Sequence, residues 1–339
     1  MKHNTQKRTV VITGASAGVG RATARAFAKE GARIGLIARG RDGLEAAAGE
    51  VTELGGAPLV LQGDVADAAR MEDVAAQVER DLGPIDVWVN NAMTSVFAPV
   101  KEITAEEFKR VTEVTYLGVV YGTLAALKQM LSRNHGVIIQ VGSALAFRGI
   151  PLQAAYCASK HAIQGFCDSL RAELIHENSG VQLTMIHMPA LNTPQFGWVK
   201  SKLPKKAQPV PPIFQPEVAA DAIVFASHHR RRSMLVGFST VQAVMGDRIA
   251  PGLLDYYLGR TGYEAQQTDE QEDPNRPSNL FEPVVGDHGA HGTFDAIASG
   301  SSAILWISKK RGILTAATAA LLLMVAGAYF SVTRAFRLQ

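Results

Sequence analysis

The stretch TVVITGASAGVG, residues 9–20, decides how this chain folds. Its first five residues are apolar or β-branched and read as a strand buried on both faces. Gly14, Gly18 and Gly20 follow at once, in the spacing G-x-x-x-G-x-G, and open a helix-forming run over 18–30. A strand that turns into a helix through small residues presents free backbone N–H groups and the positive end of a helix dipole at one point. That arrangement suits a pyrophosphate.

Outward from this turn, short runs rich in Val, Ile and Leu recur at 33–38, 58–62, 86–90, 136–141, 181–187 and 234–238. Segments with helical spacing lie between them, including 67–82, 105–132 and 153–178. This alternation predicts an α/β chain: a Rossmann-like, doubly wound parallel sheet with right-handed crossovers, over residues 1–250. Residues 190–216 interrupt the rhythm with six prolines around Phe196 and Trp198. A loop of that length after the sixth strand belongs near the ligand end of the sheet.

The end of the second strand separates two dinucleotides. An acidic residue there binds ribose hydroxyls, whereas Ala38 is followed here by Arg39, with Arg41 close by. A guanidinium matches a 2′-phosphate in charge and shape, so NADP(H) is the expected cofactor. Further along, Tyr156 and Lys160 stand four apart on an expected helix and share a face. An ammonium beside a phenol lowers its pKa and makes it a usable acid or base. Ser143, after the fifth strand, can hydrogen-bond the same substrate oxygen.

Taken in order, TGASAGVG (13–20), GDV (63–65), NNA (90–92), Ser143 and YCASK (156–160) resemble the short-chain dehydrogenase/reductase family over residues 7–245. The resemblance implies that Gly14, Ser16, Gly18, Val19 and Gly20 hold the phosphates and that Asp64 and Val65 flank the adenine. It also implies that Asn90, Asn91 and Ala92 support the cofactor, and that Pro189 and Thr193 lie near the nicotinamide. Tyr156 becomes the acid/base, Lys160 binds the nicotinamide ribose and tunes Tyr156, and Ser143 positions the carbonyl. Three positions depart from the pattern: Met93 and Ala190 replace glycines, and Thr115 replaces the asparagine of a proton relay to the lysine. Thr115 is retained as a catalytic candidate that can still hydrogen-bond. The family also implies a homo-oligomer.

Composition narrows the rest. A formal charge of +3 does not suggest a nucleic-acid binder, and two cysteines form neither a metal motif nor a disulfide framework. Asp287, His288 and His291 lack a fourth partner, so no metal is expected. Residues 251–308 read as an irregular extension or linker. Residues 309–339 read as a membrane anchor, with an uncharged apolar span over 313–332. Lys309, Lys310 and Arg311 before that span favour a cytoplasmic catalytic domain on a single-pass membrane protein. The expectation is an oxidoreductase moving a hydride between NADP(H) and a carbonyl/alcohol pair, the substrate apolar or lipid-like. The rival is a membrane-tethered NADP(H)-binding scaffold or sensor with little turnover.

Overall fold

The computed structural model describes residues 7–311. The expected anchor over 313–332 therefore lies outside the described residues. Among the described residues, no helix is long and apolar enough to cross a membrane.

The strands form where their residues are apolar on both faces. They are β1 (Thr9–Thr13), β2 (Arg33–Ala38), β3 (Ala57–Gln62), β4 (Ile85–Asn90), β5 (Val137–Ser143), β6 (Gln182–Met188) and β7 (Ser233–Leu235). They pair in parallel in the order β7-β6-β5-β4-β1-β2-β3. Side chains alternate across a strand, so β1 feeds two cores. Val10 and Ile12 join Phe27, Leu36 and Ile223 on one side of the sheet. Val11 joins Ile37, Trp88 and Ile163 on the other.

Helices cover both layers: α1 (Gly18–Ala28), α2 (Arg41–Glu53), α3 (Ala68–Asp81), α4 (Ala105–Thr112), α5 (Gly118–Met130), α6 (Ala154–His176) and α7 (Pro216–His228). Local chemistry sets their starts. Asp67 caps α3, and Thr104 with Glu107 forms a capping box on α4. Between α4 and α5, residues Glu113–Leu117 form a single π-helical turn. Such turns concentrate at functional sites, and this one carries Thr115.

Chain order reverses at β1, which pairs with both β2 and β4. The crevice outside the carboxyl ends of these strands is where an open α/β sheet binds ligands. The glycine turn sits there. Gly14 has φ +68°, and a Cβ on Gly20 would lie 2.1 Å from the Gly14 carbonyl oxygen. Only glycine lets α1 begin this close to β1.

The C-terminal third is more regular than its composition suggests. Two helices, α8 (Phe238–Ile249) and α9 (Pro251–Thr261), follow β7, so residue 238, read as the end of a strand, begins a helix. Within 251–308, the segment Gln267–Gln271 pairs antiparallel with Lys205–Ala207 from the long loop. The two irregular regions thus build structure on each other.

Candidate active site

Two sets of residues lie at the carboxyl edge of the sheet, and the groove that the first set lines includes none of Ser143, Tyr156 and Lys160. The first lines a groove running from the α1 N-terminus to the end of β2. Gly14, Ser16, Gly18, Val19, Arg39, Asp64, Val65, Asn91, Ala92 and Thr193, all expected to hold cofactor, line it together with Met93 and Trp198. The α1 N-terminus has no side-chain cap and no acidic residue in its first turn. A helix start with no side-chain cap and no acidic residue suits an anion. The glycine cradle that a single Cβ would fill therefore fits a dinucleotide pyrophosphate.

Thr13 and Asn91 brace this floor. The Asn91 and Ala92 backbone amides donate to Thr13 Oγ1 at 2.9 and 3.0 Å, and Asn91 Nδ2 donates to the Thr13 carbonyl at 2.9 Å. Asn90 behaves differently from its expected supporting role. It faces the core, where it accepts from Trp88 Nε1 and donates to Thr123 Oγ1. Alternation along β4 sends Asn90 and Asn91 to opposite sides. Asp64 accepts from the Ala66 amide and is ion-paired to Arg110. These donors hold its carboxyl below the usual carboxylate range, although burial acts the other way.

The second set surrounds Tyr156 and Lys160, one turn apart on α6. Lys160 is 2% exposed, and its ammonium donates to the Val141 carbonyl on β5 at 2.7 Å. It lies 5.4 Å from the Tyr156 ring centroid. Burial lowers its pKa to about 8. Ser143 is the last residue of β5, and its hydroxyl accepts from the Leu145 amide at 3.1 Å. Lys160 was expected to lower the Tyr156 pKa, whereas desolvation pushes it up.

Thr115 is fully buried. Its hydroxyl donates to the Thr94 carbonyl at 2.8 Å and accepts from the Thr94 amide at 3.1 Å. The side chain therefore pins the loop after β4. Pro189 packs on Gly237, where a Cβ would approach within 2.7 Å. Phe196 meets Phe97 and Phe294 edge-on, beside Leu152, Val199 and Leu203.

Two features escaped the sequence reading. His187 on β6 is 1% exposed, faces the Ser143 carbonyl through Nδ1 at 3.3 Å, and packs on Phe147. Only its odd position in an apolar strand signalled it. The second is the stretch 279–289, which crosses the groove. Asn279, Pro283, Val284, Gly286 and His288 line it from above. Asp287 and His288, weighed above as metal ligands, instead meet Arg21 and the Trp198 ring.

A model of the short chain dehydrogenase family matches residues 8–203. The uncharacterized oxidoreductase YxnA of Bacillus subtilis is 34% identical over 283 residues, 83% of this chain and 80% of that protein. A fatty acyl-CoA reductase of Acinetobacter baylyi is 30% identical, over 66% of this chain and 74% of that protein. Among solved structures, an alcohol dehydrogenase from the archaeon Thermococcus sibiricus, complexed with 5-hydroxy-NADP, superposes with a TM-score of 0.59 at 30% identity. The superposition covers 68% of this chain and 96% of that one.

Burial holds His187 neutral, lowering its pKa to about 4 from 6.5. A folded pKa below the unfolded one means that the unfolded chain binds the proton first. The contribution is complete above pH 6.5 and is lost as pH falls toward 4. Its size is about 3 kcal/mol across that window. In urea unfolding at stepped pH, His187→Gln is expected to flatten the loss of stability between pH 6.5 and 4. An unchanged slope would show that His187 is not the group responsible.

Proposed function

Because the chain belongs to the short-chain dehydrogenase family, we propose that it is an NADP(H)-dependent oxidoreductase that reduces a carbonyl to an alcohol through Ser143, Tyr156 and Lys160. The observation that carries this reading is the buried Lys160 ammonium, 5.4 Å from the Tyr156 ring centroid and bonded to the Val141 carbonyl on the strand that ends in Ser143.

Bound nicotinamide supplies the hydride. The protein's own groups do the rest. The glycine turn and the α1 N-terminus would hold the pyrophosphate, Asp64 and Val65 would take the adenine end, and Arg39 would bind the 2′-phosphate. Ser143 and Tyr156 hold the substrate oxygen. As negative charge develops on that oxygen, the phenol gives up its proton, and the adjacent ammonium stabilises the phenolate left behind. Thr115 acts by fixing the Thr94 loop beside the groove.

The substrate we propose is apolar or lipid-like. Trp198 on the groove wall supports it, as does a relative named for fatty acyl-CoA reduction. Tyr156→Phe is expected to cut NADPH-dependent turnover by about 10²–10⁴-fold with NADPH affinity nearly unchanged. Arg39→Ala is expected to weaken NADPH but not NADH. Stopped-flow turnover and fluorescence titration read both. A Tyr156→Phe enzyme at full rate would end the assignment.

We also propose that residues 313–332 tether the enzyme to a membrane, with the catalytic domain cytoplasmic. The uncharged length of that span supports it, as do exposed Trp306 and Ile307 on the helix leading toward it. Of the three cations before the span, Lys309 is ion-paired to Asp221. The full chain is expected to stay with the pellet after alkaline carbonate washing. Release into the supernatant would exclude a spanning anchor.

A further inference from the structure

Residues 279–289 bring backbone carbonyls as well as side chains to the groove. The Arg39 guanidinium donates to the carbonyls of Asn279, Leu280 and Phe281, the last at 2.6 Å. The amide of Gly18, at the α1 N-terminus, donates to the Gly289 carbonyl at 3.1 Å. These are the two kinds of donor a phosphorylated dinucleotide needs: a guanidinium at the ribose end and a helix-start N–H at the pyrophosphate. Strap carbonyl oxygens sit on both.

The strap is fastened elsewhere as well. Leu280 is fully buried against Val96, Ala98, Val111 and Ala155, and its carbonyl also accepts from Arg110 Nε at 3.1 Å. The Asn279 amide donates to the Trp198 carbonyl at 2.9 Å. The Gly286 amide donates to Asp42 at 3.0 Å, and Asp287 pairs with Arg21 at 3.1 Å. The outer side chains Phe281 and Val285 are exposed. With the strap down, the groove encloses about 200 Å³. Pockets that bury even a drug-sized ligand hold ~300–1,000 Å³.

We infer that residues 279–289 are an autoinhibitory latch: their carbonyls take the phosphate-binding donors Arg39 and Gly18 N–H, and a phosphorylated dinucleotide must displace them to enter. The inference rests on the cofactor reading above. Its physical basis is an exchange of partners. A phosphate offers the guanidinium an opposite charge and two acceptor oxygens in matching fork geometry, which a carbonyl dipole lacks, so a 2′-phosphate can lift the latch. Until it does, only the lifted fraction of molecules binds, and the apparent affinity is reduced by that fraction.

Two measurements on the full-length protein test this. Leu280→Ala withdraws the buried anchor without touching any groove donor. If the lifted state is populated at about one tenth, the variant binds NADPH about tenfold more tightly in a fluorescence titration. Unchanged or weaker binding by the folded variant overturns the latch, because the strap would then be neutral or part of the grip. Hydrogen–deuterium exchange on the unmodified protein gives an answer even if the variant does not fold. Saturating NADPH is expected to speed exchange of the 279–289 amides, and slower exchange overturns the inference. If neither protein binds any nicotinamide dinucleotide, the cofactor reading fails first and the latch with it.

Discussion

A buried ammonium organises this site. Burying a charge without a counter-charge costs several kcal/mol, and Lys160 is tolerated because the Val141 carbonyl receives it at 2.7 Å. That bond ties α6 to the end of β5, the strand that also supplies Ser143. One turn earlier on the same helix stands Tyr156. The geometry of the trio is thus a consequence of satisfying one cation. The residual burial cost appears as a pKa near 8, so the group remains largely charged at neutral pH while gaining from any negative charge that forms beside it.

Around that constraint, the fold divides labour by distance along the sheet edge. The reversal at β1 opens the groove, and the glycine turn allows the α1 N-terminus to come down on it. On the other side of β4, Ser143 and His187 end neighbouring strands. The loop after β4 lies between the two regions and is pinned by Thr115. The departure from the family pattern at that position therefore has a visible structural use. The C-terminal region then crosses the groove, so one cleft is built from two distant parts of the chain.

The central strands were legible in the sequence because they are apolar on both faces. The periods 9–13 and 33–38 match β1 and β2 residue for residue. The cofactor groove was legible because its glycines must occupy fixed places relative to a strand and a helix. Other parts carried no such mark. Helix α9 buries none of its side chains, and Leu253, Tyr256 and Tyr257 remain exposed, so it has no apolar stripe to read. The strap engages Arg39 through carbonyl oxygens, which every residue possesses. Arg39 could be read as a phosphate ligand, but its present partners could not be read at all. The Tyr156 pKa was misjudged for a related reason: helical spacing reports a nearby lysine, while burial depends on the whole fold.

The central claim is that this site moves a hydride onto a carbonyl carbon. Its most direct test is single turnover of the full-length enzyme with NADPH deuterated at the transferable C4 position and a long-chain aldehyde. Mass spectrometry of the alcohol then reads the outcome. The account predicts one deuterium on the carbinol carbon, with NADPH consumed in equal amount. Bound NADPH that is never oxidised, or alcohol formed without the label, would contradict it.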